Sequence, residues 1–317
     1  MNFRVRVLYD SRGECEKMNS TLKDNEGVGD SSVTTIASAI LQATESLRSA
    51  GVPEARREAG SLMAHALEKD RTFIISHSGE RLETDQLETF RSFVQRRAQG
   101  EPQQYITGYQ DFFGLTFKVT PDVLIPRPET ELLVEAALAF IPADNSRETL
   151  ICDVGTGSGC IPIAVLNSRS PARAVALDIS PAAIEVAQAN ASRYQMRDRI
   201  SFVVSDCFDQ LDHHDKFDLI VSNPPYVSAA ALAGLQREVR DHEPVVALSP
   251  GADGLSVIRR LIGESPLYLK DGGYLLFEIG FDQGEAVRQL INPRIWKVLE
   301  IKPDLQGIPR IVALQKI

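Results

Sequence analysis

The sequence predicts an α/β protein, a doubly wound sheet preceded by a helical domain. Three observations carry that expectation. Short apolar runs at 150–154, 173–177, 200–204 and 217–221 read as buried strands. They alternate with helical stretches, such as 181–192 and 254–262, in the manner of βαβ units. Polar motifs follow the strands directly: a glycine-rich run at 155–159, then Asp178, Asp206 and Asn223. In doubly wound sheets that carboxyl rim is where ligands bind, so four motifs on one rim outweigh any one of them.

The 317 residues leave room for about two domains. Residues 1–32 are polar, lack a signal-peptide core and read as a disordered extension. Residues 33–100 read as a helical domain. Ile36, Ile40, Ala43 and Leu47 share one helical face, and Gly51-Val52-Pro53 ends that helix. A second helix over 53–67 carries Ala59, Leu62 and Met63, and a third after Thr84 carries Leu87, Phe90 and Val94. These faces read as core rather than as a groove for a partner. Gly100-Glu101-Pro102 marks a boundary, and 101–130 reads as a linker with strands and turns over 105–125 that include a hairpin. The sheet domain then spans 131–317, with a turn and strand at 272–278 and a last strand at 309–314. Those C-terminal strands are read as sheet-building only.

The first strand of the sheet, Leu150-Ile151-Cys152-Asp153-Val154, enters Gly155-Thr156-Gly157-Ser158-Gly159 and then a helix start at Cys160. Glycines let a backbone approach a ligand, and a helix N-terminus offers unpaired N–H groups. The dinucleotide fingerprint requires G-x-G-x-x-G; here Cys160 stands at the third glycine's place. Asp153 disfavours a pyrophosphate and favours an ammonium or sulfonium group, the two cations of S-adenosylmethionine. A nicotinamide oxidoreductase is accordingly disfavoured. Asp178 lies 23 positions after Gly155, where a ribose-binding acid falls; the competing reading is a cap for the helix begun by Ser180-Pro181. Ser205-Asp206-Cys207 ends the following strand, which places Asp206 on the same rim.

Asn223-Pro224-Pro225-Tyr226 ends the fourth strand. Neither proline can continue a central strand, since each lacks a donor and has a fixed φ. A stiff stretch rich in acceptors results: the Pro224 carbonyl, the Asn223 side-chain carbonyl and, beside them, the Tyr226 ring. Such a set suits a planar –NH₂ group, either an exocyclic base amine or a carboxamide. A plain turn after a strand is the bland alternative.

The chain resembles the release-factor glutamine methyltransferases, from about Val33 to its C-terminus. The resemblance is carried by Gln104-Tyr105-Ile106-Thr107-Gly108, Phe112-Phe113-Gly114-Leu115-Thr116-Phe117 and Val123-Leu124-Ile125-Pro126-Arg127-Pro128-Glu129-Thr130-Glu131, followed by 153–159 and 222–227. It implies a Rossmann-like, S-adenosylmethionine-dependent methyltransferase sheet and methyl transfer to the glutamine amide in the Gly-Gly-Gln motif of peptide-chain release factors. It also implies that the helical domain helps recognise the release factor. Asn223, Pro224, Pro225 and Tyr226 are then the catalytic and substrate-binding residues. Asp153, Gly155, Thr156, Gly157, Ser158, Gly159, Asp178, Asp206, Cys207 and Asn223 hold the cofactor. Arg127 and Glu129, stiffened by Pro126 and Pro128, wall the substrate, with surface ion pairs as their alternative. Cys207 departs from the family, many members of which carry an aromatic residue after the acid.

A formal net charge of −9 argues against unspecific nucleic-acid binding. It also weighs against the nearest rival, an adenine exocyclic-amine methyltransferase acting on DNA or RNA. A non-catalytic adaptor that merely keeps the fold is opposed by the intact glycine loop, Asp178 and Asn223. No apolar run of about 18 residues is present, so no membrane span is expected. The four cysteines, Cys15, Cys152, Cys160 and Cys207, lack metal-ligand spacing, and the cytoplasm is the expected compartment. No metal is expected, and His213-His214 reads as a solvated loop.

Overall fold

A computed structural model describes residues 34–143, 148–212 and 214–317. The extension expected over 1–32, with Cys15, lies outside the described residues, as does His213.

The helical region opens with Ile36–Ser49, Ala55–Ala66, Arg71–Ser76 and Thr84–Ala98. Thr35 caps the first helix by accepting from the Ser38 N–H at 3.2 Å, with Ser38 bonding back in a capping box. Ile36, Ala43, Leu47, Ala59, Leu62, Met63, Phe90 and Val94 form one buried cluster, the faces expected from the periodicity. The Arg71–Ser76 helix, capped by Asp70, was not legible because it is a single short turn with one buried side chain, Ile74.

The expectation of strands from residue 105 is corrected over its first turn. Gln103–Thr107 is a helix that buries both Tyr105 and Ile106, a pattern alternation cannot produce. Strands β1 (Tyr109–Phe112) and β2 (Leu115–Lys118) then form the antiparallel hairpin, with Phe112 opposite Leu115. No strand covers 119–125.

The main sheet has seven strands: β3 (Leu150–Val154), β4 (Arg173–Asp178), β5 (Ile200–Val204), β6 (Phe217–Ser222), β7 (Leu269–Glu278), β8 (Trp296–Pro303) and β9 (Pro309–Lys316). Their order is β5-β4-β3-β6-β7-β9-β8. The first five are parallel, and β9 pairs antiparallel with both β7 and β8. The sheet is therefore mixed, with an antiparallel edge. Strand β8 escaped the sequence reading: Lys297, Glu300 and Lys302 give it the polar character of an edge. Every residue of β6 is buried, as a strand covered on both faces requires. The helix expected over 254–262 begins at Ser256, because Gly254 adopts a left-handed conformation.

The strand order reverses between β3 and β6. That reversal opens a crevice at the carboxyl ends of these two strands, where the chain leaves as Gly155 and as Asn223. The Ser222 hydroxyl donates to the Val154 carbonyl at 2.7 Å and ties the two exits together.

An ion cluster centred on the buried Arg97, with two partly exposed carboxylates, joins the helical region to the sheet region. Arg97 bonds Glu58 of the second helix and Glu238 of the Arg237–His242 helix, the latter at 2.7 Å. Its side chain is 5% exposed. Replacing Arg97 with Ala leaves two carboxylates without their cation, so Arg97→Ala is expected to lower unfolding stability by about 3 kcal/mol in urea titration.

Candidate active site

Two cavities meet at the chain leaving β6. The first, of about 280 Å³, is lined by Gly155, Thr156, Gly157, Ser158, Asp178, Asp206, Cys207, Asn223, Pro224 and Pro225 among others. The second, of about 600 Å³, is lined by Arg127, Glu129, Tyr226, Glu238, Glu278 and Arg310 among others. Leu124, Asn223, Pro224 and Ala247 line both, so Asn223-Pro224 stands in the wall between them.

The glycine loop is held by its neighbours. The N–H groups of Gly155 and Thr156 both donate to the Leu177 carbonyl at 2.8 Å, and that of Gly157 donates to Asp178 Oδ2 at 2.8 Å. Those three donors therefore serve the end of β4 rather than a ligand. Asp178 Oδ1 accepts from the Ser180 N–H, while the Ser180 hydroxyl itself caps the next helix. Asp178 is thus the anchor of the loop and not the helix N-cap. Its oxygens keep lone pairs for a further donor. Burial raises its pKa, opposed by the bonds from Ser180 and Gly157.

Asp153 and Gly159 line neither cavity. A Cβ on Gly159 would sit 3.2 Å from the Ala187 Cβ, so this glycine permits close helix packing. Asp153 is fully buried beneath the loop, and neither of its oxygens makes a hydrogen bond of good geometry. Burial pushes its carboxyl up to about 7, with the nearby Thr156 hydroxyl pulling the other way and Asp178 adding to the rise. The hydroxyls of Thr156 and Ser158 are likewise buried without a well-formed bond. The glycine loop beside the first cavity and an acid at the next strand end, Asp178, that keeps lone pairs for a further donor fit S-adenosylmethionine.

At the rim of the first cavity, Asp206 bonds Arg260 at 2.8 Å. Cys207 is a non-glycine residue at φ +48°, and burial pushes its thiol up to about 12. In the second cavity Arg127 bonds Glu243 at 2.5 Å, while the other Glu243 oxygen accepts from the Ile125 N–H at 3.2 Å. The Glu243 side chain is 1% exposed, so the Arg127 pair is not a surface bridge; it braces the cavity wall. Glu129 is an exposed lining residue.

Residues outside the sequence-based set complete the site. Asn223 Nδ2 donates to Thr130 Oγ1 at 2.9 Å, Thr130 Oγ1 donates to Glu278 Oε2 at 2.7 Å, and the Tyr226 hydroxyl donates to Glu278 Oε1 at 3.1 Å. Burial raises the Glu278 pKa, opposed by the bonds from Thr130 and Tyr226. Gln283 Nε2 donates to the Tyr226 and Gly254 carbonyls at 3.0 and 3.2 Å. The strand ending in Glu278 is thus part of the site, which corrects its reading as sheet-building only. The rim rule that singled out Asp178 and Asp206 applies equally to Glu278. Nothing in the sequence marked Gln283, whose side-chain partners are backbone groups, the Tyr226 and Gly254 carbonyls and the Gly280 N–H.

The mixed, mostly parallel sheet, the glycine loop at its switch point and the paired cavities define an S-adenosylmethionine-dependent methyltransferase. Residues 38–108 match the family model for the PrmC N-terminal domain, and residues 129–239 that for the methyltransferase small domain. A release factor glutamine methyltransferase of Koribacter versatilis is 40% identical over 282 residues, covering 89% of this chain and 99% of that protein. One of Geobacter sulfurreducens is 41% identical over 262 residues, covering 83% and 90%. Among solved structures, the release factor-specific protein-(glutamine-N5) methyltransferase of Alicyclobacillus acidocaldarius is 31% identical, covers 63% of this chain and 99% of that one, and superposes with a TM-score of 0.38. The chain belongs to the release factor glutamine methyltransferase family. Among the described residues, no helix is long and apolar enough to cross a membrane.

Two outcomes follow from this geometry. The Asp153 carboxyl titrates higher folded than unfolded, so its contribution to stability is complete at acid pH and is lost as pH rises through about 7. The stability of Asp153→Asn relative to the parent is therefore expected to improve between about pH 4 and 7 and then level off, by on the order of 4 kcal/mol in denaturant titrations. A Cβ on Gly254, at φ +74°, would fall 2.3 Å from the Tyr226 carbonyl oxygen. Gly254→Ala is expected to lower the melting temperature and shift the Tyr226 loop, read by tryptic sensitivity between Pro225 and Gly251.

Proposed function

We propose that the chain transfers a methyl group from S-adenosylmethionine to the side-chain amide nitrogen of the glutamine in the Gly-Gly-Gln motif of peptide-chain release factors. The observation that carries this reading is the position of Asn223-Pro224 in the wall shared by the two cavities. A methyl donor on one side and an amide on the other would meet at these two residues. S-adenosylmethionine, when bound, supplies an activated methyl carbon on a sulfonium that is already a good leaving group.

The chain's residues divide the remaining work. Asp178 accepts from ribose hydroxyls, residues 155–158, Asp206 and Cys207 shape the first cavity, and Asp153, buried beneath the loop, and Gly159, packed against Ala187, support the loop from behind. A carboxamide nitrogen is a poor nucleophile because its lone pair is delocalised into the carbonyl. The Asn223 side-chain carbonyl and the Pro224 carbonyl accept the two amide hydrogens and aim the nitrogen. The Tyr226 N–H, the first after two prolines, donates to the amide oxygen. Orientation of this kind is worth ~7–11 kcal/mol in favourable systems, and acceptors that tighten as charge develops on the nitrogen favour the transition state over the ground state. The nitrogen loses one proton, which passes to water. Arg127 and Glu129 wall the incoming chain, and the helical domain over 33–100, joined through the 101–130 linker to the 131–317 methyltransferase domain, contributes to recognising the release factor. The cytoplasm is the compartment this substrate implies.

The test offers labelled S-adenosylmethionine with a release factor, with its Gln→Ala variant and with duplex DNA. Label on the release factor alone is expected; label on DNA alone would establish the base-amine activity instead. Asn223→Ala is expected to abolish transfer, by about a hundredfold or more, while cofactor affinity measured by calorimetry persists. Loss of both, or of neither, contradicts the role given to Asn223.

A further inference from the structure

We propose that Thr130 and Glu278 are positioning residues that decide which end of the Asn223 amide faces the reacting groups. The inference rests on the reading of Asn223 as the acceptor for a substrate amide. An asparagine side chain has two ends of similar shape and opposite hydrogen-bonding sense. Only the carbonyl end can accept from a substrate –NH₂; the other end would set donor against donor. The site must therefore fix the amide's direction before substrate arrives.

The direction is set from Glu278. A carboxylate can only accept, and Oε2 takes the single Thr130 hydroxyl hydrogen at 2.7 Å. With that hydrogen committed, the Thr130 oxygen can only accept from its other neighbour, which is Asn223 Nδ2 at 2.9 Å. A flipped amide would place its carbonyl oxygen against the Thr130 oxygen with no hydrogen between them. Thr130 is 2% and Glu278 1% exposed, so water has little access to repair that mismatch.

Backbone structure keeps the three groups in line. Ser222 pairs with Phe277 across β6 and β7, so Asn223 and Glu278 leave adjacent strands at the same rim. Thr130 ends a 3₁₀ turn whose first residue is Pro128 and stands at the N-terminus of the Glu131–Ala139 helix. The same carboxyl therefore steers Asn223 through one oxygen and Tyr226 through the other, on either side of the two prolines.

The experiment measures methyl transfer to a release factor by the full chain carrying Thr130→Val or Thr130→Ser, with S-adenosylmethionine affinity determined by calorimetry. Thr130→Val keeps the shape and removes the hydroxyl. Its kcat is expected to fall about tenfold to a hundredfold, with KM for the release factor and cofactor Kd within roughly twofold of the parent. Thr130→Ser keeps the hydroxyl and is expected to recover kcat to within roughly threefold of the parent. Thr130→Ala, which adds no bulk, makes the same test where Val is not accommodated. A parent-like kcat in the Val and Ala variants, or a Ser variant as slow as Val, overturns the inference and leaves the glutamine reading intact. A parent chain that labels no glutamine overturns the glutamine reading and the inference built on it.

Discussion

Strand β6 cannot continue past Asn223, because the next two residues are prolines with no N–H to give the ladder. This constraint falls where the strand order turns round between β3 and β6. The backbone must therefore open at the mouth of the crevice, where Asn223 and Pro224 line both cavities. Much of the site's remaining structure serves to hold that opened segment still. The Ser222 hydroxyl fastens its start to β3, and Gln283 fastens its far end through the Tyr226 carbonyl. Glu278 reaches it from the neighbouring strand on both sides of the prolines.

The cofactor side follows a similar logic. The glycine loop spends three of its donors on the end of β4, so its shape is set by the protein before any ligand binds. What it leaves unsatisfied is a carboxyl under the loop and two buried hydroxyls. A fully buried acid without a good bond is costly, and such costs concentrate where a ligand later meets them. The second cavity is braced differently, by the Arg127–Glu243 pair and by Arg97 gripping Glu238 of the helix that lines it. That grip places the helical region in contact with the cavity through which a protein substrate would enter.

Much of this was legible in the residues. Apolar runs located β3, β4, β5 and β6, and the rim rule collected the glycine loop, Asp178, Asp206 and Asn223, all of which reach the first cavity. The helix over Gln103–Thr107 was hidden because two adjacent buried residues, Tyr105 and Ile106, mimic a short apolar strand. Strand β8 was hidden by its exposed polar positions. Thr130 and Glu278 stand 148 positions apart, and only folding reveals that they share a hydrogen. Gly159 was read as a cofactor contact from its motif, yet its role is to let two helices approach, a distinction that spacing alone cannot draw.

Catalysis in the proposed function depends on a rigid pair of acceptors that presents a flat amide to an activated methyl group. The most direct measurement is a crystal structure of the chain with S-adenosylhomocysteine and a release-factor fragment. The substrate amide nitrogen is expected within hydrogen-bond distance of both Asn223 Oδ1 and the Pro224 oxygen, with the nitrogen directed at the sulfur. An amide seated elsewhere, or an Asn223 that turns its nitrogen toward the substrate, would contradict it.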